Sequence, residues 1–453
     1  MKQIKILILP FIFSNRVVAL FLVAIALFFA GCQKDGRFPV IDRSSPHDFS
    51  SDVLDKWFTL EIRIYKDATG IGNGAFARPF AYSGISAYES LDPGAASWKN
   101  KYNGLSGLPQ TEKFHRYYWP ASVNAALAEF NRSFFTSNNL NAADLAAIDS
   151  LENAIASSFN KVDQDVLSRS GGFGKSIADA VFAWSQTDGY AQNNALPYTL
   201  PVGIGLWVPT PTAFAAPSGP FWGENRPIIA GSGDNTQPDP PAPYSENPNS
   251  DFYKMVNDVY MASKNQTTDQ KNWALFWRDV PGVTTPGHWM SIIQQVIKQT
   301  HSPLDKAALT YALVGINLND AIISVWDTKY KYNLVRPVTY IRNVIGDTSW
   351  LPTIPTPAHP EYSSAHAVVS ASASEALTFI YGNIGSFTDH TYDYLGFPAR
   401  SFNTFRDIGI DAGNSRFIGG IHYQPTINAG LIQGRIVARN IIKSLSQSSG
   451  KDR

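Results

Sequence analysis

Pro357-Ala358-His359-Pro360-Glu361-Tyr362-Ser363-Ser364-Ala365-His366 leads into an Ala/Ser/Val-rich run, Ala367 to Tyr381. The run reads as a helix whose start carries two serines and a small residue. Free backbone N–H groups and the helix dipole make such a start an anion seat. Ser364 can add a hydroxyl, and Ala365 is small enough for its N–H to approach an oxyanion. His366 stands at the rim, where a general acid–base is needed. The plainer alternative is serine capping beside a surface histidine.

Working outward, Lys329-Tyr-Lys-Tyr-Asn-Leu-Val-Arg336-Pro337 lies upstream. Its spacing predicts Lys329 and Arg336 on one face at the end of a helix that the proline stops. The apolar stretch before it, Ala307 to Trp326, marks that helix as buried. Inward-pointing cations are costly without an anion to pair with. Solvent at a frayed helix end is the competing destination. Downstream stands Ser415-Arg416-Phe-Ile-Gly419-Gly420-Ile-His422. Arginine offers a planar fork for two oxygens. His422 can ligate or attack a central atom, or serve as an ordinary core histidine.

The rest of the chain reads as helical. Stretches at 53–65, 79–91, 120–134, 142–159, 175–184, 251–263, 269–280, 288–299 and 304–332 carry helical spacing. Gly171, Gly172 and Gly174 are expected to precede the helix at 175. Residues 197–250 are dense in Pro, Gly, Asn and Trp and read as a long loop or lid. No alternating strand pattern stands out, so the expected class is all-α, a helical bundle. At 44% hydrophobic and 16% charged residues the chain can bury a large core. Lysine plus arginine equal aspartate plus glutamate at 37 each, so no basic excess points to nucleic acid.

The start of the chain reads as a leader. Lys2, Lys5 and Arg16 precede an uncharged run from Val17 to Gly31, and Cys32, the one cysteine, follows Phe29-Ala30-Gly31. That resembles a bacterial lipobox and implies lipid attachment at Cys32. The expected organisation is a signal peptide at 1–31, a tether at 32–50, an N-terminal helical region at 51–300 and an oxyanion-binding helical core at 301–445. The expected location is the cell envelope of a bacterium, on the outer-membrane or periplasm side, with membrane contact through the lipid alone. Past the leader no apolar span of about 20 residues is apparent.

The ordered set Lys-x6-Arg-Pro, Ser-x-His and Ser-Arg-x5-His resembles the superfamily of type 2 phosphatidic acid phosphatases, bacterial acid phosphatases and vanadium-dependent haloperoxidases. The resemblance is specific over residues ~320–435. Trp57, the Arg78-to-Glu89 stretch, Trp207 and Gly287-His288-Trp289 look like the helical N-terminal half of bacterial haloperoxidase relatives. The resemblance implies a helical bundle of the acid phosphatase/vanadium haloperoxidase type. It implies that Lys329, Arg336 and Arg416 neutralise the oxyanion's equatorial oxygens, with Ser364 and the Ala365 N–H adding hydrogen bonds. His422 would bind vanadium axially or attack phosphorus, and His366 would act as acid–base at the opposite apical oxygen. His359, seven residues before His366, is where bromide-oxidising members tend to carry a histidine.

Two activities follow, and a third reading stays beside them. A vanadate-dependent haloperoxidase would take hydrogen peroxide and a halide, with bromide favoured, and need vanadate as cofactor. An acid phosphatase would take a phosphomonoester through a phosphohistidine and need no cofactor. A non-catalytic oxyanion-binding lipoprotein is the third. The sequence departs from the usual pattern at Ser363 and Ala365, which replace proline and glycine, and at Thr426, which replaces an aspartate that orients the last histidine. Asp411 or Asp407 is a candidate substitute for that carboxylate.

Overall fold

The computed structural model describes residues 44–71, 73–91, 98, 100–279 and 282–446. The leader, Cys32 and most of the tether lie outside the described residues. Among the described residues the regular structure is helical apart from one two-stranded ribbon. In order come α1 (Asp52–Asp67), α2 (Ala77–Glu89), α3 (Trp119–Phe134), α4 (Ala142–Ser157), α5 (Gln164–Ser185), the short α6 (Tyr190–Asn194), α7 (Asp251–Lys264), α8 (Thr268–Phe276), α9 (Thr285–Thr300), α10 (Leu304–Tyr332), the short α11 (Pro337–Tyr340), α12 (Ala365–Tyr381), α13 (Phe405–Ile418) and α14 (Gln424–Ser446). Strands β1 (Phe387–Asp389) and β2 (Arg400–Phe402) pair antiparallel between α12 and α13.

α10 is the axis. Its 29 residues pack against α2 on one side and α12 on the other, and one hydrophobic cluster runs through both halves of the sequence from Val53 to Ile441. By length and composition α10 could cross a membrane, contrary to the expectation of no such span. However, 94% of its apolar window is buried inside the protein. It also carries Asn317, Asn319 and Asp320, all buried. The Asp320 carboxylate accepts from the Ile228 and Ile229 amides at 2.8 and 3.1 Å, so the polar groups of the helix are spent on other protein segments.

Two sequence expectations change. The glycines at 171–174 lie inside α5, not before it. A Cβ on Gly174 would stand 2.0 Å from the Ser122 carbonyl oxygen, so glycine there permits α3 and α5 to touch. Lys329 and Arg336 do not share a helix. α10 stops at Tyr332 because Asn333 turns left-handed at φ 46, and Arg336 caps the separate α11.

Residues 197–250 form the expected long loop, with one short 3₁₀ turn at Trp222–Glu224. It is strapped down by polar contacts. The Ser218 carbonyl accepts from Trp326 Nε1 at 3.2 Å and Tyr330 OH at 2.6 Å, and the Ser218 amide donates to the Ala358 carbonyl at 2.8 Å. The strap thus lies across the segment that begins α12.

Candidate active site

The first helical turn of α12, the end of α13 and the turn into α14 meet beside the end of α10. Glycines set this approach. A Cβ on Gly434 of α14 would lie 2.0 Å from the Val368 carbonyl of α12. The close packing brings together Lys329, Arg336, His359, Ser364, Arg416 and His422, all 9% exposed or less. Ala365 and His366 sit at the edge, and with His359 and His422 they line a cavity of about 250 Å³.

Lys329 donates to the carbonyls of Pro360 and Glu361 at 2.9 and 3.0 Å. An ammonium has three donors, so one remains. Arg336 donates through Nε to the His359 carbonyl at 3.0 Å and through Nη1 to the Ile421 carbonyl at 2.8 Å. Its Nη1 also reaches His422 Nε2 at 3.0 Å, and Nη2 reaches His359 Nδ1 at 3.1 Å. Arg416 donates through Nη1 to the Trp277 carbonyl at 2.5 Å, while its buried Nε has no partner among the described residues. Ser364 caps α12 with its buried Oγ equally unpartnered, and Ala365 is the first helical residue. Burial, followed by the Arg336 charge, pushes the Lys329 ammonium well down. Burial also lowers both guanidinium groups to about 10. Three cations are thus gathered in a dry place with donors to spare.

The only acid within the three quoted segments is Glu361, and it takes the part of the missing aspartate. Its Oε1 accepts from His422 Nδ1 at 2.8 Å, the Tyr423 amide at 3.1 Å and Thr426 Oγ1 at 2.6 Å. Thr426 therefore still belongs to this cluster, as a donor to the carboxylate. Asp411 and Asp407 are engaged elsewhere, which corrects the expectation that one of them would substitute. Asp411 pairs with Arg400 at 2.6 Å and accepts from Trp277 Nε1 at 2.7 Å, and Asp407 closes the capping box of α13. Burial raises the Glu361 carboxyl to about 6 against the pull of Arg336. Burial and the charges of Arg336 and Lys329 hold His422 well below its ordinary value. The imidazole is neutral, its Nδ1–H is given to Glu361, and its Nε2 lone pair accepts from Arg336 Nη1, a contact that a group bound at Nε2 would have to take over. A metal ligand or nucleophile needs that form.

His366 is oriented by a group that sequence reading missed. Its Nε2 lies 3.3 Å from Asp279 Oδ2 and 3.3 Å from Thr285 Oγ1. A proton on Nε2 leaves Nδ1 as an acceptor. Burial and the Arg416 charge lower His366 to about 4, opposed by Asp279. Asp279 lies 87 residues away in sequence, and no periodic pattern announces it.

The residues present fit a tetrahedral or trigonal-bipyramidal oxyanion such as vanadate. Ser364 Oγ and Arg416 Nε are buried polar atoms without partners, and a bound oxyanion would satisfy both. Fold and site together make a helical scaffold whose buried cations and unpartnered donors suit an oxyanion. Residues 309–450 match the family model of the VCPO second helical-bundle domain. The chain is 31% identical to the protein in "Crystal structure of the first bacterial vanadium dependant iodoperoxidase", with a TM-score of 0.80 over 87% of this chain and 96% of that one. A bacterial vanadium-dependent chloroperoxidase shares the fold in its apo form (TM-score 0.57, 14% identity, 83% of this chain and 95% of that one). Its holo form does so too (0.57, 15%, 91% and 96%). No curated protein matches the chain. The chain belongs to the vanadium haloperoxidase superfamily.

Proposed function

We propose that this chain oxidises halide with hydrogen peroxide, with vanadate as the group that His422 Nε2 would hold. The observation that carries the reading is the neutral His422, held through Nδ1 by Glu361 so that its unprotonated Nε2 faces the buried guanidinium of Arg336. Lys329, Arg336 and Arg416 would hold the oxygens of the group, with Ser364 Oγ and the Ala365 N–H completing the cradle. Such donors cost no reorganisation as charge develops. Bound vanadate would supply Lewis-acid activation of peroxide. His366 Nδ1 would take the proton from a peroxide O–H and later return it to the oxygen that leaves as water. The halide loses two electrons and becomes hypohalous acid, and one further proton is consumed.

The cavity favours small reactants. Its wall is largely apolar, with Pro286, Leu318, Ile322, Trp326 and Val369 among the lining residues, and Ser218 of the strap closes one side. Peroxide and halide fit that space more readily than a polar phosphomonoester. Bromide is favoured on the resemblance alone, because bromide-oxidising members tend to carry a histidine at the position of His359, whose ring here sits 5.0 Å from the Trp326 ring at the cavity wall. The 31%-identical structure is that of an iodoperoxidase, and iodide, the more easily oxidised ion, is expected to react as well. The phosphohistidine alternative uses the same His422–Glu361 pair. The phosphate-freed chain should therefore be assayed for bromide and iodide oxidation beside hydrolysis of a generic phosphomonoester. Halide oxidation without ester turnover supports the reading, and vanadate-inhibited ester hydrolysis alone removes it. Lipid attachment at Cys32, and with it an envelope location, is part of the same proposal. Loss of acyl labelling in Cys32→Ser is its check.

A further inference from the structure

His288 lies behind the site, fully buried on α9, and both ring nitrogens face carboxylates. Nδ1 is 2.8 Å from Asp279 Oδ1 and Nε2 is 2.8 Å from Asp389 Oδ2. A neutral imidazole donates through only one nitrogen, so two contacts of this kind require the imidazolium. Tyr392 OH donates to the same Asp279 oxygen at 2.8 Å. The other Asp279 oxygen is the one that meets His366. The indole of Trp277 stacks on the His288 ring at 4.5 Å, and Phe276 packs against it edge-on, which keeps water out. An unbroken line of polar contacts thus runs Asp389, His288, Asp279, His366 and ends at the cavity.

We propose that His288 and Tyr392 are positioning residues that set the basicity of His366 by sharing the charge of Asp279. The proposal rests on the reading above only for the role given to His366. Physically, every donor on Asp279 Oδ1 draws charge from Oδ2. A cation and a hydroxyl there leave Asp279 a weaker partner for His366, so His366 is a weaker base than a lone Asp–His pair would make it. Asp389 keeps His288 charged, and is itself fixed by the Thr391 amide at 2.9 Å and Gln295 at 3.4 Å. Burial opposes the charge on His288, but Asp389 and then Asp279 outweigh it and lift the imidazole to about 9. Burial also opposes ionisation of both aspartates, and the His288 cation outweighs it and holds both carboxyls below their ordinary value. Arg416 of α13 also faces this line and lowers the basicity of His366, while Arg278 acts on Arg416. Asp411 on α13 is engaged by Arg400.

The test uses the full chain with its eight histidines carbon-13 labelled at Cε1, with the His288 and His366 signals assigned by H288Q and H366N. In the unsubstituted chain, His288 should stay protonated from pH 5 to pH 8. In Tyr392→Phe and in His288→Gln the His366 midpoint should rise by about one pH unit, and the acid limb of kcat/KM for halide oxidation should rise with it. Tyr392→Phe removes only a hydroxyl and decides the matter if His288→Gln fails to fold. A neutral His288 across that range overturns the proposal. So does an unmoved His366 midpoint in folded Tyr392→Phe. A chain without peroxidase activity that still shows the shift would sink the haloperoxidase reading and leave this coupling standing.

Discussion

Glu361 Oε1 lies 2.8 Å from His422 Nδ1 and 2.6 Å from Thr426 Oγ1, so one carboxylate both orients His422 and engages the residue standing where an aspartate is usual. Partners of this kind are worth roughly 10- to 100-fold in metal affinity. Glu361→Gln should therefore weaken vanadate binding by about that factor while the chain stays folded. Because Thr426 points at the same spot, Thr426→Asp should partly restore affinity in the Glu361→Gln background. Alone it should harm the protein, by placing two carboxylates together. A vanadate titration of the four proteins checks the cycle.

Arg416→Ala removes a buried cation whose Nε has no partner among the described residues. Without the anion that cation costs stability, and with the anion it contributes binding. The variant should keep or raise the melting temperature of the phosphate-free chain and lose most of the rise that vanadate produces. Its affinity should fall about 100-fold, about 2.7 kcal/mol. Thermal melts with and without vanadate measure both effects, and an unchanged vanadate-induced rise would take Arg416 out of the site.

Glycine positions separate close approach from mere freedom. A Cβ at Gly434 would stand 2.0 Å from Val368 O, while one at Gly172 meets nothing within 4 Å. Gly434→Ala should cost about 3 kcal/mol and blunt anion binding, because it pushes α14 off the helix that begins at Ala365. Gly172→Ala, inside α5, should stabilise by about 0.5–1 kcal/mol. Denaturant melts of the two proteins should move in opposite directions.

Glu61 is buried among Ser83, Asn131 and Tyr65, and its Oε2 has no partner among the described residues. Burial raises its carboxyl from 4.5 to about 7, against those hydrogen bonds. The sign follows from linkage. Between those values the unfolded chain releases this proton and the folded chain keeps it, so stability falls as pH rises from 4.5 to about 7 and then levels. Glu61→Gln should remove that fall and be the more stable protein at pH 8, by on the order of 2 kcal/mol. Denaturant melts across this pH range would show parallel curves if Glu61 carries no such penalty.

The cradle was legible because its parts are chemically odd where they stand. Cations follow an apolar helix, serines open a helix, and an arginine and a histidine flank a glycine pair. The orienting acids were harder to see. Glu361 stands inside the quoted stretch as the one acid among its three segments, a signal that was present but has no periodicity to mark it. Asp279 and His288 reach His366 through chain closure over some 80 residues, which local spacing cannot convey. Helix positions were legible from apolar spacing. The spacing ends at Tyr332, as the helix does, but the left-handed turn at Asn333 that takes Arg336 off the helix of Lys329 was not legible, because a single residue makes it.

The most direct measurement is bromide oxidation by the phosphate-freed full chain with hydrogen peroxide, with and without orthovanadate, beside His422→Ala. The account predicts oxidation only with vanadate, and none in His422→Ala even at vanadate concentrations that saturate the unsubstituted chain. Oxidation that survives in His422→Ala, or none in either protein with bromide or iodide, would contradict it.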